Sequence, residues 1–211
     1  MTTTTNQALA LLEQRSASAF LVTGVLILAS FVVPVGLESF TDLSWMSGIV
    51  LIALAVVSVA AGLVGLYPRV NDQTPKLALA GVGAALVAGV AAFGLVVLTG
   101  VAVGNEVVFD LMVAKPRRVF MLVGLLMAGG FSLSLLLFGA AVWQTEPSSR
   151  TVSGLLIVGG GALLAPVAVE LLGLPFGVNA PPWLLFPVIV GLALDTVAVG
   201  YNLRIQGESW E

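Results

Sequence analysis

The acidic residues in the last quarter of the chain are the side chains best able to do chemistry. Asp195 stands in the middle of the apolar run VIVGLALDTVAVGY, residues 188–201. A carboxylate at the centre of a bilayer disfavours insertion by about 2.5–3.5 kcal/mol, so such residues usually face a protein interior and serve a function. Asp195 lies twelve residues after Trp183. On a helix this separation is roughly 18 Å, a little beyond mid-membrane.

Two states of Asp195 are open, because no Lys or Arg lies well inside an apolar run to neutralise it. Either it is a neutral carboxylic acid that hydrogen-bonds another helix, or it binds a cation from a hydrated cavity. The candidate hydrogen-bond partners are hydroxyl and amide side chains within the apolar runs: Thr196, Asn202, Thr99, Ser58, Ser132 and Ser134. Thr196 and Asn202, on the same run, complete the candidate proton or ion site.

Glu170 is a second candidate for this site, nearer the end of its own run. Pro166 comes four residues earlier and frees the carbonyl of Ala162, and freed carbonyls can coordinate ions in transporters. In antiparallel helices Glu170 and Asp195 would differ in depth by around 10 Å or more, too far to pair directly. They are then successive stations on a proton path, or else Glu170 reaches the membrane surface and has no such role.

The elements that must position these residues follow from composition. Of 211 residues, 59% are hydrophobic and 9% charged, whereas soluble domains carry about 25% charged residues. A membrane helix needs about 20 mostly apolar residues. Six such runs occur, at about residues 17–37, 43–67, 77–103, 119–143, 152–174 and 182–203. We predict an all-α, polytopic membrane protein with one bundle of six transmembrane helices over residues 17–204. An interfacial segment, residues 1–16, precedes it, and a short tail, residues 205–211, follows.

The basic residues of the short connectors predict the topology, because cytoplasmic loops carry an excess of Lys and Arg. With six spans, both termini share one side, whose basic residues are Arg15, Arg69, Lys76, Arg150 and Arg204. The basic residues of the other side are Lys115, Arg117 and Arg118. We therefore expect a plasma-membrane protein with cytoplasmic termini. The scarcity of lysine and the net charge of −3 fit a prokaryote and a halophile, although membrane composition alone biases these counts.

Small residues recur at spacings that bring helix backbones together. The third run carries two adjoining stripes: Ala80, Ala84, Ala88 and Ala92, and beside them Gly81, Ala85 and Gly89. This pattern predicts a central helix with neighbours on more than one side. The fifth run contains Gly159, Gly160 and Gly161. These faces form a mobile or oligomer-forming interface, or they serve packing within the chain alone.

Several chemistries are disfavoured by what the sequence lacks. Cysteine and histidine are absent, which removes thiolate sites and the usual zinc and haem ligands. There is no P-loop, no G-x-S-x-G and no H-E-x-x-H. No basic stretch is long enough to follow a nucleic-acid backbone. We predict no enzyme, no cofactor and no nucleic-acid partner; the lipid bilayer is the expected environment.

Two functions remain open. The first is a structural or accessory membrane protein that packs against a second copy of the chain or against another membrane protein. The second is a small proton- or cation-coupled transporter or channel, with Asp195 as the titrating group and Glu170 as a second station.

Overall fold

We obtained a computed structural model of the chain, which describes residues 2–37, 44–104, 117–145, 150–173 and 182–208. Side chains are described over residues 15–33, 47–101, 122–145, 150–168 and 187–205. Lys115 of the predicted topology falls outside the described residues. For Arg117, Arg118 and Glu170 the backbone alone is described.

Six helices account for nearly all of the described chain, which contains no strand. They are α1 (Thr2–Leu37), α2 (Ser44–Asn71), α3 (Pro75–Gly104), α4 (Arg117–Thr145), α5 (Arg150–Gly173) and α6 (Pro182–Glu208). Each contains an apolar span of membrane length. Large apolar side chains such as Val32, Val90 and Leu194 point away from the bundle. The prediction of an all-α bundle of six membrane-spanning helices is confirmed, and the chain is a multi-pass membrane protein.

Helix α1 is longer than a membrane crossing requires. Its 36 residues correspond to about 54 Å, against a hydrocarbon thickness of about 30 Å. The helix starts at Thr2 and passes without a break into the apolar span that begins at Arg15. The predicted interfacial segment is therefore continuous with the first span, and its location at the membrane surface stays a prediction.

The helices form a closed ring in chain order. Each helix packs against the next one, and α1 also packs against α6. A further contact between α2 and α4 leaves α3 on the outside of the groove between them. Only 28% of the α3 span is buried, the smallest share of the six. Helix α3 does have neighbours on two sides, α2 and α4, but the prediction that it is central is wrong, because large side chains such as Leu86 and Phe93 face outward.

Reciprocal serine hydrogen bonds join two of the helix pairs. Between α1 and α2, the Ser16 hydroxyl donates to the Gly62 carbonyl (2.7 Å) and the Ser58 hydroxyl donates to the Ala19 carbonyl (2.9 Å). Because lipid tails offer no partner to a hydroxyl, bonds between helices are one of the forces that hold membrane helices together.

The α4–α5 pair repeats this arrangement. The Ser132 hydroxyl donates to the Gly160 carbonyl (2.5 Å), and the Ser153 hydroxyl donates to the Gly139 carbonyl (2.6 Å). On each helix the serine and the accepting glycine are seven residues apart, 139 − 132 and 160 − 153. The two bonds therefore hold the antiparallel helices in register over two turns.

Glycines close the ring between α1 and α6. A Cβ atom on Gly24 would lie 2.7 Å from the Ala193 carbonyl oxygen, and one on Gly200 would lie 2.8 Å from the Ala17 carbonyl oxygen. Real Cβ atoms essentially never approach an atom so closely. The first and last helices therefore touch backbone to backbone, which only residues without a side chain allow.

Candidate functional site

Asp195 lies near the middle of a helix that is long and apolar enough to cross a membrane. It is near the centre of the α6 span Pro187–Ile205, and it is the one acidic residue in the six described spans. Gly159, at the centre of the α5 span Arg150–Ala168, lies opposite. The carboxylate therefore sits at the depth where a charge is most costly.

Gly159 makes room for the Asp195 carboxylate. A Cβ atom on Gly159 would collide with Asp195 Oδ2 and would lie 3.2 Å from Asp195 Cγ and 3.5 Å from Leu192 Cδ1. The sequence singled out both residues, Gly159 for packing and Asp195 for chemistry, without linking them. The Asp195 carboxylate occupies the space between α5 and α6 that a side chain at residue 159 would otherwise fill.

The carboxylate lies at the outer edge of this contact. The face of α6 that looks into the bundle carries Thr196 and Val199, which are 1% and 0% exposed. Asp195 is turned by about 100° from Thr196 and is only half-buried. Leu194, beside it, is 60% exposed.

We call this edge the outer seam. Its residues on α6 follow one another at helical spacing, and its residues on α5 flank Gly159 on the same turn and the next. They are Gly191, Asp195 and Ala198 on α6 and Val158 and Ala162 on α5.

The six side chains expected to hydrogen-bond Asp195 all donate to backbone carbonyl oxygens instead. The pairs are Thr196 to Ala193, Asn202 to Ala198, Thr99 to Leu95, Ser58 to Ala19, Ser132 to Gly160 and Ser134 to Phe131. The prediction that they bond Asp195 is wrong. Hydroxyl and amide groups on a helix can reach carbonyls of the preceding turn or of a neighbouring helix, and these acceptors are closer.

No described side chain donates a hydrogen bond to Asp195 or forms an ion pair with it. Yet every fully buried side-chain nitrogen or oxygen in the described residues has a partner. The Asp195 oxygens are therefore not sealed within the bundle. Every Lys and Arg of the described spans lies within two residues of a span end, so none reaches this depth.

Glu170 lies on α5 at a different level from Asp195. It comes eleven residues after Gly159 (170 − 159), which corresponds to about 16 Å along the helix. Helix α5 continues through the buried Pro166 as far as Gly173, so the register holds to this point. The backbone positions of residues 170 and 195 are separated by depth, and a joint role for the two residues stays a prediction.

The small residues of α3 and α5 divide into contact positions and open positions. Gly81 meets the Phe138 ring of α4, and Gly160 meets the Ser132 carbonyl of α4. The other contact positions are Ala84, Ala85, Ala88 and Ala92, which are buried. Ala80 and Gly161 are exposed, and Gly89 is partly exposed. The contact positions serve packing within the chain.

Among the described residues no group of His, Cys, Asp and Glu is arranged to hold a metal ion. Comparisons with known proteins found no matching family model, no similar curated protein and no similar solved structure. The interpretation of the site therefore depends on its geometry.

Proposed function

We propose that this multi-pass membrane protein is an accessory protein that acts by packing its helices against another membrane chain. The outer seam is the contact surface. One observation carries the proposal: the Asp195 carboxylate is half-buried near the middle of its span, on the flank of α6, with no donor in the described chain.

The side on which Asp195 lies favours assembly over transport. A transporting carboxylate generally faces the bundle interior or a water-filled cavity. Here the interior face of α6 is filled by Ala193, Thr196 and Val199, while Asp195 lies on the flank. A polar group on an outer flank lowers its free energy by meeting a polar group of a second chain.

The test measures the mass of the protein extracted with its native lipids. We expect a complex larger than the monomer, and we expect Asp195→Leu to release the monomer because the partner loses its polar contact. Asp72→Asn is the matched control, since Asp72 is an exposed acid in the connector after α2. A wild-type protein that is extracted only as a monomer contradicts the proposal.

A second candidate function is a proton- or cation-coupled transporter with Asp195 as the titrating group. The depth of Asp195 favours it, and so does the α5–α6 contact, the least extensive in the ring. The experiment is uptake driven by a pH gradient in proteoliposomes. Loss of uptake in Asp195→Asn, with an unchanged mass of the native complex, would support transport and contradict the accessory function.

A further inference from the structure

We infer that the outer seam binds a membrane helix of another protein that carries Lys or Arg near its middle. This inference builds on the proposed accessory function and names the chemistry of the partner. The juxtaposition that carries it is a half-buried acid near the middle of its span, in a bundle whose described spans carry Lys and Arg only near their ends.

No basic residue of the described spans lies at the depth of Asp195. Asp195 is the single acid of the six described spans, and no described donor reaches it. The nearest basic residue on α6 is Arg204, nine residues on (204 − 195), or about 13 Å along the helix. Arg204 also lies on another side of the helix, since nine residues amount to two and a half turns. Within the described residues no base reaches Asp195, so a countercharge for the ionised carboxylate comes from another chain.

A second copy of this chain does not supply that charge at the depth of Asp195. Copies inserted in the same orientation bring their basic residues to the same span ends. At the depth of Asp195, a second copy presents on this seam another Asp195, which repels when both are ionised. Charge complementarity at mid-membrane requires a different protein.

Small residues on the outer seam leave room for another helix beside Asp195. Gly191 and Ala198 lie one turn before and one turn after Asp195 on the outer seam, and Ala162 is the small residue of this seam on α5. Small side chains allow the backbone of another helix to approach closely. A long side chain such as Lys then spans the remaining distance with its ammonium group, and the pair removes an unpaired charge from both helices.

The experiment uses the full chain in liposomes, with a fluorophore after Glu211, and synthetic helices as probes. Each probe is a Leu/Ala helix of about 20 residues with one central Lys, Leu or Asp. Energy transfer measures binding in the bilayer. We expect the central-Lys helix to bind about tenfold more tightly than the central-Leu helix, as one polar contact between membrane helices permits. We expect Asp195→Asn to abolish that difference.

A variant in which the acid is moved along α6 tests whether the Lys of the probe must lie at the same depth as the acid. Its expected result is a change in the preferred probe, and not a loss of binding. Asn202 lies one heptad beyond Asp195 on the same side of α6. Asp195→Asn combined with Asn202→Asp moves the acid by about 10 Å. We expect this variant to prefer a helix whose Lys lies two turns from its centre. Thermal unfolding in detergent, followed for each variant, establishes that the bundle is intact.

Three results would overturn the inference. They are equal binding of the central-Lys and central-Leu helices, an undiminished preference for Lys in Asp195→Asn, and tighter binding of the central-Asp helix than of the central-Lys helix. If the inference fails while the native complex is still larger than a monomer, the accessory function stands. If the chain is a monomer in its native lipids, that function fails, whatever the probes do.

Discussion

Asp195 and Gly159 share one space: the carboxylate on α6 lies where the first side-chain carbon of residue 159 on α5 would be. Two residues that look unrelated in the sequence are thus one contact at the centre of the membrane. A glycine at this depth is needed to admit the acid, and the acid fills the gap that the glycine leaves. The contact links the packing of α5 and α6 to the one acidic group in the described spans.

The three consecutive glycines of α5 are expected to respond differently to alanine. Gly160→Ala should destabilise the bundle by about 1–3 kcal/mol, because its Cβ would lie 2.9 Å from the Ser132 carbonyl oxygen, a backbone atom that cannot rotate away. Gly161→Ala should be neutral or stabilising by up to about 1 kcal/mol, because nothing lies within 4 Å and alanine favours the helix. Unfolding of the purified protein in mixed detergent measures both, and equal effects would contradict the packing described.

Gly159→Ala should fall between these two variants. Its Cβ meets a side chain that can rotate, the Asp195 carboxylate, although Leu192 restricts the rotation. We expect a loss of about 1 kcal/mol, which Asp195→Ala in the same chain should remove. The same unfolding assay, run as a double-mutant cycle, gives the coupling. Additive effects of the two substitutions would show that the residues do not touch.

Serines that bond between helices should matter more than a serine that bonds within one. Ser153→Ala removes a bond from α5 to Gly139 on α4 and should cost about 0.6–1.7 kcal/mol. Ser134→Ala is the matched control, because this buried serine donates to Phe131 on its own helix. Detergent unfolding should rank Ser153→Ala as the less stable. The reverse ranking would count against the α4–α5 register.

The absence of cysteine from the natural chain allows the α1–α2 contact to be tested by a disulfide. A Cβ atom on Gly62 would lie 3.5 Å from Ala19 Cβ, and disulfides need about 3.5–4.5 Å between these atoms. Ala19→Cys with Gly62→Cys should therefore oxidise readily. Labelling of free thiols before and after reduction detects the bond. Ala19→Cys with Gly83→Cys should stay reduced, since Gly83 is exposed on α3 with nothing within 4 Å.

We expect cytoplasmic termini, because one side of the membrane carries the larger number of basic residues. A phosphatase that is active only outside the cytoplasm, fused after Glu211, should be inactive, and a fluorescent protein at the same site should fluoresce. The opposite pair of results would reverse the topology and place Lys115 in the cytoplasm.

The number and approximate position of the helices follow from hydropathy alone, because a span must be apolar over the thickness of the bilayer. The ends of the helices do not follow from hydropathy. Helix α2 extends to Asn71 and α6 to Glu208, several residues beyond the predicted ends at residues 67 and 203. Backbone hydrogen bonds continue a helix into polar sequence, and composition marks only the part that lies in lipid.

The sequence could not predict which helices pack against each other. Small residues on α3 predicted close contacts, and Gly81 and Ala88 make them, but the pattern could not show that α2 and α4 meet behind α3. The residues that contact Asp195 could not be predicted for the same reason. Asp195 packs against Gly159, which has no side-chain group that could form a hydrogen bond, whereas the hydroxyls that looked suitable donate to backbone carbonyls.

The meeting of α1 with α6 has a consequence for biosynthesis. Of these six helices, the one made first meets one of its two neighbours only after α6 has left the ribosome. Until then Gly24 and Ala17 lack the α6 backbone that covers them in the folded bundle. A nascent chain halted before Gly200 would contain five complete spans. The face of α1 that packs against α6 would still be uncovered and accessible to the quality-control machinery of the cell.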